Sequence, residues 1–116
     1  MLKKHTISLK HAAAGMGWAL RTQPNYRIHL FLSLLSILGS WYFHITRSEF
    51  LIILVLIFGG FVIETINTAI EVTTDAIDNT IREDIKIAKD VAAAAMLFYA
   101  IGSLLIACII FIPKVL

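Results

Sequence analysis

The stretch Glu64-Thr65-Ile66-Asn67-Thr68-Ala69-Ile70-Glu71-Val72-Thr73-Thr74-Asp75 sets acids and an amide among apolar residues. At about 100° per residue, Asn67 falls roughly 60° from Glu64 around a helix, and Glu71 and Asp75 each fall within about 20° of it. Asp78 is expected near the same face. One helical stripe would then carry four carboxylates and a carboxamide, with Glu71 about 10 Å further along than Glu64. Carboxylate oxygens are hard donors suited to Mg²⁺, which often shares them with nucleotide phosphates. A carboxylate left free of metal can take a proton from an alcohol as general base, and Asn67 can hold a neighbouring carboxylate in position. The plainer explanation is a set of acids solvated or paired with lysines. It suits Asp78, Glu83 and Asp84, but not Glu64 and Glu71, which have apolar flanks.

Further along lie Lys86, Lys89 and Asp90. Lys89 has the charge to hold a phosphate, although a lysine at the end of an apolar segment is common. Other phosphate devices are missing. There is no G-x-x-x-x-G-K-[ST], and Gly15-Met16-Gly17 is an isolated G-x-G with no strand before it. No Ser/His/Asp spacing suggests a triad. Cys108 is the one cysteine, and His5, His11, His29 and His44 are too scattered to build a zinc site with it.

The elements that must carry this stripe follow from composition. The chain has 116 residues, of which 59% are hydrophobic and 16% charged. That is one domain at most, and more apolar than a soluble chain of roughly 45–50% apolar residues. A small soluble domain cannot hide so much apolar surface. The net charge of +2 is too small to suggest a nucleic-acid partner. Three stretches, 28–45, 50–74 and 91–112, are expected to be transmembrane helices, since a span takes roughly 20 residues. The first is slightly short, and Ser33, Ser36, Gly39 and Ser40 give it a small, polar side fit for close packing. It begins too late and is followed by too many apolar segments to be a removable signal peptide.

Residues 1–27 contain Lys3, Lys4, Lys10, Arg21 and Arg27 and no acid. Leu9, Ala13, Met16 and Leu20 recur at helical spacing, with Trp18 as an interfacial anchor. This segment is expected to be an amphipathic helix in the headgroup layer. The basic residues also give a topology. Five in the N-terminal segment and three between residues 75 and 90 stand against Arg47 and Lys114 on the other side. The positive-inside rule then puts the N-terminus in the cytoplasm.

The order Glu64-x-x-Asn67-x-Ala69-Ile70-Glu71-x-x-x-Asp75, then Ala88-Lys89-Asp90 and a small-residue run, resembles the small bacterial integral-membrane lipid kinases. That family holds the prokaryotic diacylglycerol kinases and the undecaprenol kinases. The resemblance spans nearly the whole chain, and Arg27-Ile28-His29 and Lys89-Asp90-Val91-Ala92-Ala93 are more similar to the undecaprenol kinase branch. It implies an all-α membrane protein with a surface helix and three spans, assembled as a homotrimer in the bacterial cell membrane. The implied activity is transfer of the ATP γ-phosphate to a lipid alcohol with Mg²⁺, with undecaprenol favoured over diacylglycerol. By the same resemblance Glu64 is the base, Glu71 a metal ligand, and Asn67, Asp75, Lys89 and Asp90 are polar residues of the nucleotide site. Lys4, Lys10 and His11 of the surface helix are further candidates for holding nucleotide.

One position departs from the family pattern. Aligned through Asn25-Tyr26-Arg27, Gln23 stands where the family commonly has a metal-binding Glu, and it offers a carbonyl oxygen without charge. Two other readings of the residues stay open. One is a small oligomeric transporter of cations or protons, for which intramembrane acids are typical. The other is an inactive family member that kept the fold.

Overall fold

The computed structural model describes residues 2–116, apart from the side chains of residues 2–4 and 7. It is all helical in the described residues: α1 (Leu2–Thr22), α2 (Pro24–Tyr42), α3 (Arg47–Ile77) and α4 (Glu83–Val115). α2, α3 and α4 run up, down and up, and the side chains at their ends fix that order. At one end, Lys114 in the last turn of α4 reaches Glu49 in the first turn of α3 at 3.3 Å. Phe43, just after α2, stacks on Phe111 of α4 there. At the other end, Tyr26 of α2 hydrogen-bonds Thr65 of α3 at 2.7 Å, and Lys89 of α4 reaches Asp75 of α3. α1 packs chiefly on α2, burying Ala19 while Leu9, Met16 and Trp18 stay exposed.

Local chemistry sets the boundaries. Pro24 starts α2 because its missing N–H is not needed in a first turn, and Gln23 before it is extended. α2 stops at Phe43, whose N–H returns to Gly39 O at 2.9 Å, and His44 follows in the left-handed region with φ 50°. Thr46 and Glu49 cap α3 reciprocally: each side chain takes the other's backbone N–H, at 2.9 and 3.1 Å. The helices therefore do not coincide with the apolar stretches: α2 ends at Tyr42, short of residue 45, and elsewhere helix overruns stretch. α2 begins four residues before Ile28, α3 continues past residue 74, and α4 starts at Glu83 rather than Val91. An apolar stretch marks where hydrocarbon can be met, not where backbone hydrogen bonding ends. The surface segment, expected over 1–27, breaks after Thr22, so Gln23 lies between helices rather than on α1.

α3 and α4 are each long and apolar enough to cross a bilayer, with mean hydropathies of 2.3 and 2.6. Only 17% and 6% of those windows are buried within the chain, which is the reverse of a soluble core helix. The chain is thus an all-α membrane protein. α2, with 19 residues and with Arg27 and His29 in its first two turns, does not meet the same measure. α3 is about 46 Å long, roughly 16 Å more than the hydrocarbon layer. The surplus is available to carry its polar end beyond the lipid.

Candidate functional site

The acidic stripe forms as the periodicity predicts through Asp75, since α3 is unbroken from Arg47 to Ile77. Asp78 does not join it. It is the extended residue that ends α3, and its carboxylate accepts from the Thr80 N–H at 2.9 Å and the Thr80 hydroxyl at 2.6 Å. Those hydrogen bonds, the hydroxyl's foremost, hold Asp78 below the ordinary carboxylate range. Arg82 lies 3.6 Å from Asp78 and 2.8 Å from Asp84, so this corner is a self-satisfied turn.

On the stripe, Glu64 is only 4% exposed. It makes no hydrogen bond or ion pair among the described residues. Asn67 is buried too; its Nδ2 donates to Glu71 Oε1 at 3.2 Å, and its Oδ1 has no partner. One turn on, Asp75 takes the Lys89 ammonium at 2.5 Å. Structure thus brings Glu64, Asn67, Glu71, Asp75 and Lys89 onto one ribbon. It separates Asp90, which is exposed and paired with Lys86 at 2.7 Å along α4. Lys10 and His11 are exposed on α1 without polar partners among the described residues, and the Lys4 side chain lies outside them. Gln23 Nε2 donates to the Thr22 hydroxyl at 3.3 Å and touches none of the acids.

A cavity of about 470 Å³ opens between α2, α3 and α4. Glu64 lies at one end, and the α3 wall runs back to Ile53, about 16 Å away along the axis. Its walls are mainly apolar, with His29, Ser33 and Tyr99 among the polar exceptions. Two adjacent glycines shape it. A methyl at Gly59 would meet the Tyr99 hydroxyl, and one at Gly60 would meet the His29 imidazole. Those side chains dock on α3 carbonyls: Tyr99 Oη on Leu56 O at 2.5 Å and His29 Nε2 on Ile57 O at 3.1 Å. Tyr26, Thr65, His29 and Tyr99 were not legible as site neighbours. A Gly-Gly pair inside an apolar run, opposite two polar aromatics, is the signal that could have found them.

The donor set fits a hard divalent ion. All candidate ligands are oxygens, and the orphaned, buried Asn67 Oδ1 beside Glu71 is a donor awaiting a cation. Among the described residues no three His, Cys, Asp or Glu side chains come close enough to hold an ion by themselves. Mg²⁺ does not require that, since it is usually bound by one or two carboxylates together with substrate phosphates.

Comparison with known proteins shows what the chain is similar to. The profile of the family described as prokaryotic diacylglycerol kinase matches residues 10–111. The undecaprenol kinase of Bacillus subtilis is 35% identical over 113 residues, which is 97% of this chain and 92% of that protein. The diacylglycerol kinase of Synechocystis is 31% identical over 111 residues, 95% of this chain and 63% of that longer protein.

Proposed function

The chain belongs to the prokaryotic diacylglycerol kinase family, and from that premise we propose that it transfers the γ-phosphate of ATP to the hydroxyl of a membrane lipid alcohol, undecaprenol first and diacylglycerol next. The observation that carries the reading is Glu64, a buried carboxylate at the end of an apolar cavity, with the Asn67–Glu71 pair one to two turns beyond it. A lipid chain belongs in the first and a phosphate donor beside the second. The lipid oxygen attacks the γ-phosphorus in line, the bond from that phosphorus to the bridging oxygen of ADP breaks, and Glu64 takes the hydroxyl proton. Glu71 and Asn67 Oδ1 would hold Mg²⁺, with Gln23 a further candidate; the bound ion supplies charge neutralisation at the phosphates. Lys89 turns from Asp75 to the phosphates, and Asp75, Asp90, Lys4, Lys10 and His11 complete the candidate nucleotide residues.

The proposal extends to three spans over 28–45, 50–74 and 91–112, a surface helix before them, a cytoplasmic N-terminus and a homotrimer. Two features support assembly: the apolar flanks of α2 to α4 are exposed, as with Phe31, Leu34, Val55, Phe58, Phe98 and Ile109, and one chain gathers few metal ligands. The test is to give detergent-purified protein radiolabelled ATP with undecaprenol, and separately with diacylglycerol, and count the lipid extract. Label in neither extract refutes the kinase reading; label in diacylglycerol alone refutes the order of substrates.

A further inference from the structure

Gly60 lies one turn before Glu64 on the same face of α3. Helical side chains tilt toward the N-terminus, so Glu64 leans over the space that a side chain at position 60 would fill. The Nδ1–Cε1–Nε2 edge of His29, from α2, occupies that space. The imidazole is held there by Ile57 O and by edge-on packing against Phe61, with centroids 4.4 Å apart. A carbonyl only accepts, so in the neutral ring Nε2 carries the proton and Nδ1 keeps a lone pair.

A base that takes a proton from an alcohol must lose it before the next turnover. Glu64 is buried and makes no hydrogen bond or ion pair among the described residues, while His29 lies within electrostatic range of it. The titratable side chains lining the cavity are His29 on α2, Glu64 on α3 and Tyr99 on α4. Tyr99 commits its hydroxyl to Leu56 O. Glu71 lies within electrostatic range of Glu64, but as a carboxylate at the metal end it is no better an acceptor. Imidazole is the side chain that ordinarily gains and loses protons near neutrality. His29 is half-buried and is only the second residue of the 28–45 stretch, at its headgroup end beside Arg27, where water can take a proton from it.

We propose that His29 is the relay that resets Glu64. After transfer, the Glu64 O–H bond breaks, Nδ1 of His29 takes the proton, the carboxylate is restored, and the imidazolium returns to neutral by giving a proton to water. His29 acts through Glu64 and touches neither phosphate nor lipid oxygen in this scheme. The inference rests on Glu64 being the base.

The test uses the full chain in mixed micelles with undecaprenol and ATP, comparing the first turnover with the steady state. His29→Gln keeps an N–H for Ile57 O but has no base. Its first turnover should stay within about threefold of wild type while its steady-state rate falls about a hundredfold or more, the low end of proton-transfer effects. His29→Ala should be restored by added imidazole and not by pyrazole, a weakly basic ring of the same size. A wild-type steady state in His29→Gln overturns the relay, as does equal loss of first and later turnovers, or equal rescue by both azoles. Glu64→Gln separates the two levels. If it retains the wild-type rate, the base assignment itself is wrong. If it is inactive while His29→Gln is normal, only the relay is wrong.

Discussion

Replacing Gly60 by alanine tests the docking of His29 on α3 by thermodynamics alone. Alanine in a helix interior is favoured over glycine by roughly 0.5–1 kcal/mol. At Gly102, where an added Cβ meets nothing within 4 Å, that gain should appear undiminished. At Gly60 the same methyl overlaps the His29 ring, so the imidazole must leave. Overpacking of this kind costs about 1–3 kcal/mol, and losing the Nε2–Ile57 O hydrogen bond adds about 0.5–1.5 kcal/mol. The net for Gly60→Ala is therefore a destabilisation of about 0.5–4 kcal/mol, opposite in sign to Gly102→Ala. A double-mutant cycle isolates the cause, because in a His29→Ala background the methyl has room. Gly60→Ala should then be neutral or stabilising, giving a coupling energy above about 1 kcal/mol. The measurement is reversible unfolding in mixed micelles, followed by helical circular dichroism. If Gly60→Ala costs the same with and without the imidazole, His29 does not sit over Gly60, and the cavity wall drawn from it is wrong.

Three further outcomes concern the acidic ribbon and a fourth concerns Gln23. Glu71→Gln should leave less than a tenth of wild-type turnover at saturating Mg²⁺, a loss above about 1.4 kcal/mol; a higher residual rate removes Glu71 from the metal. Lys89→Met should raise the KM for ATP about tenfold or more, since charge-assisted contacts are worth ~1.5–3 kcal/mol. Asp75→Asn, which breaks only a half-exposed ion pair, should shift stability by less than about 1 kcal/mol; a larger loss would make the Asp75–Lys89 contact structural. Gln23→Glu should lower the Mg²⁺ concentration giving half-maximal rate, because a carboxylate attracts the ion more strongly than a neutral carbonyl; an unchanged curve shows that position 23 points away from the metal.

Much of this was legible in the sequence because lipid simplifies the reading. The stripe from Glu64 to Asp75 follows from helical angle alone, and an uninterrupted helix makes that angle reliable. Asp78 escaped it for a local reason: Thr80 offers a hydroxyl and an N–H that cap a turn better than another helical residue would. The break at Gln23 was signalled by Pro24, but its consequence needed the backbone, since an extended Gln23 no longer shares a face with the basic residues of α1. His29 and Tyr99 could not be placed because their partners are main-chain carbonyls of another helix, exposed only where Gly59 and Gly60 thin the surface. Side-chain spacing says nothing about such contacts. The first span was read from apolar content over 28–45; the helix that forms also takes in Pro24 to Arg27, which dilutes that content.

The polar groups inside the apolar helices divide in a way that identifies the working part of the molecule. Hydrocarbon offers no hydrogen bonds, so each must be answered by protein. Most are. Ser36, Ser40, Thr65 and Thr74 return their hydroxyls to carbonyls one turn back. Tyr99 and His29 use carbonyls of α3, and Asn67 gives its amide N–H to Glu71. Left over are Asn67 Oδ1 and Ser103 Oγ, together with the carboxylate of Glu64 and the hydroxyls of Ser33 and Thr68, which are buried without a hydrogen bond among the described residues. Glu64 and Ser103 face one cavity, and Asn67 is one turn past Glu64 on the stripe. An unpaired buried acid costs several kcal/mol, and on the proposed reading a lipid hydroxyl at Glu64 and a hard cation at Asn67 Oδ1 would offset such costs. The proposed substrates, a proton-bearing oxygen carried on an apolar chain and a charged group at the polar end, are complementary to these groups. A transporter of cations alone would need the second and leave no use for the first.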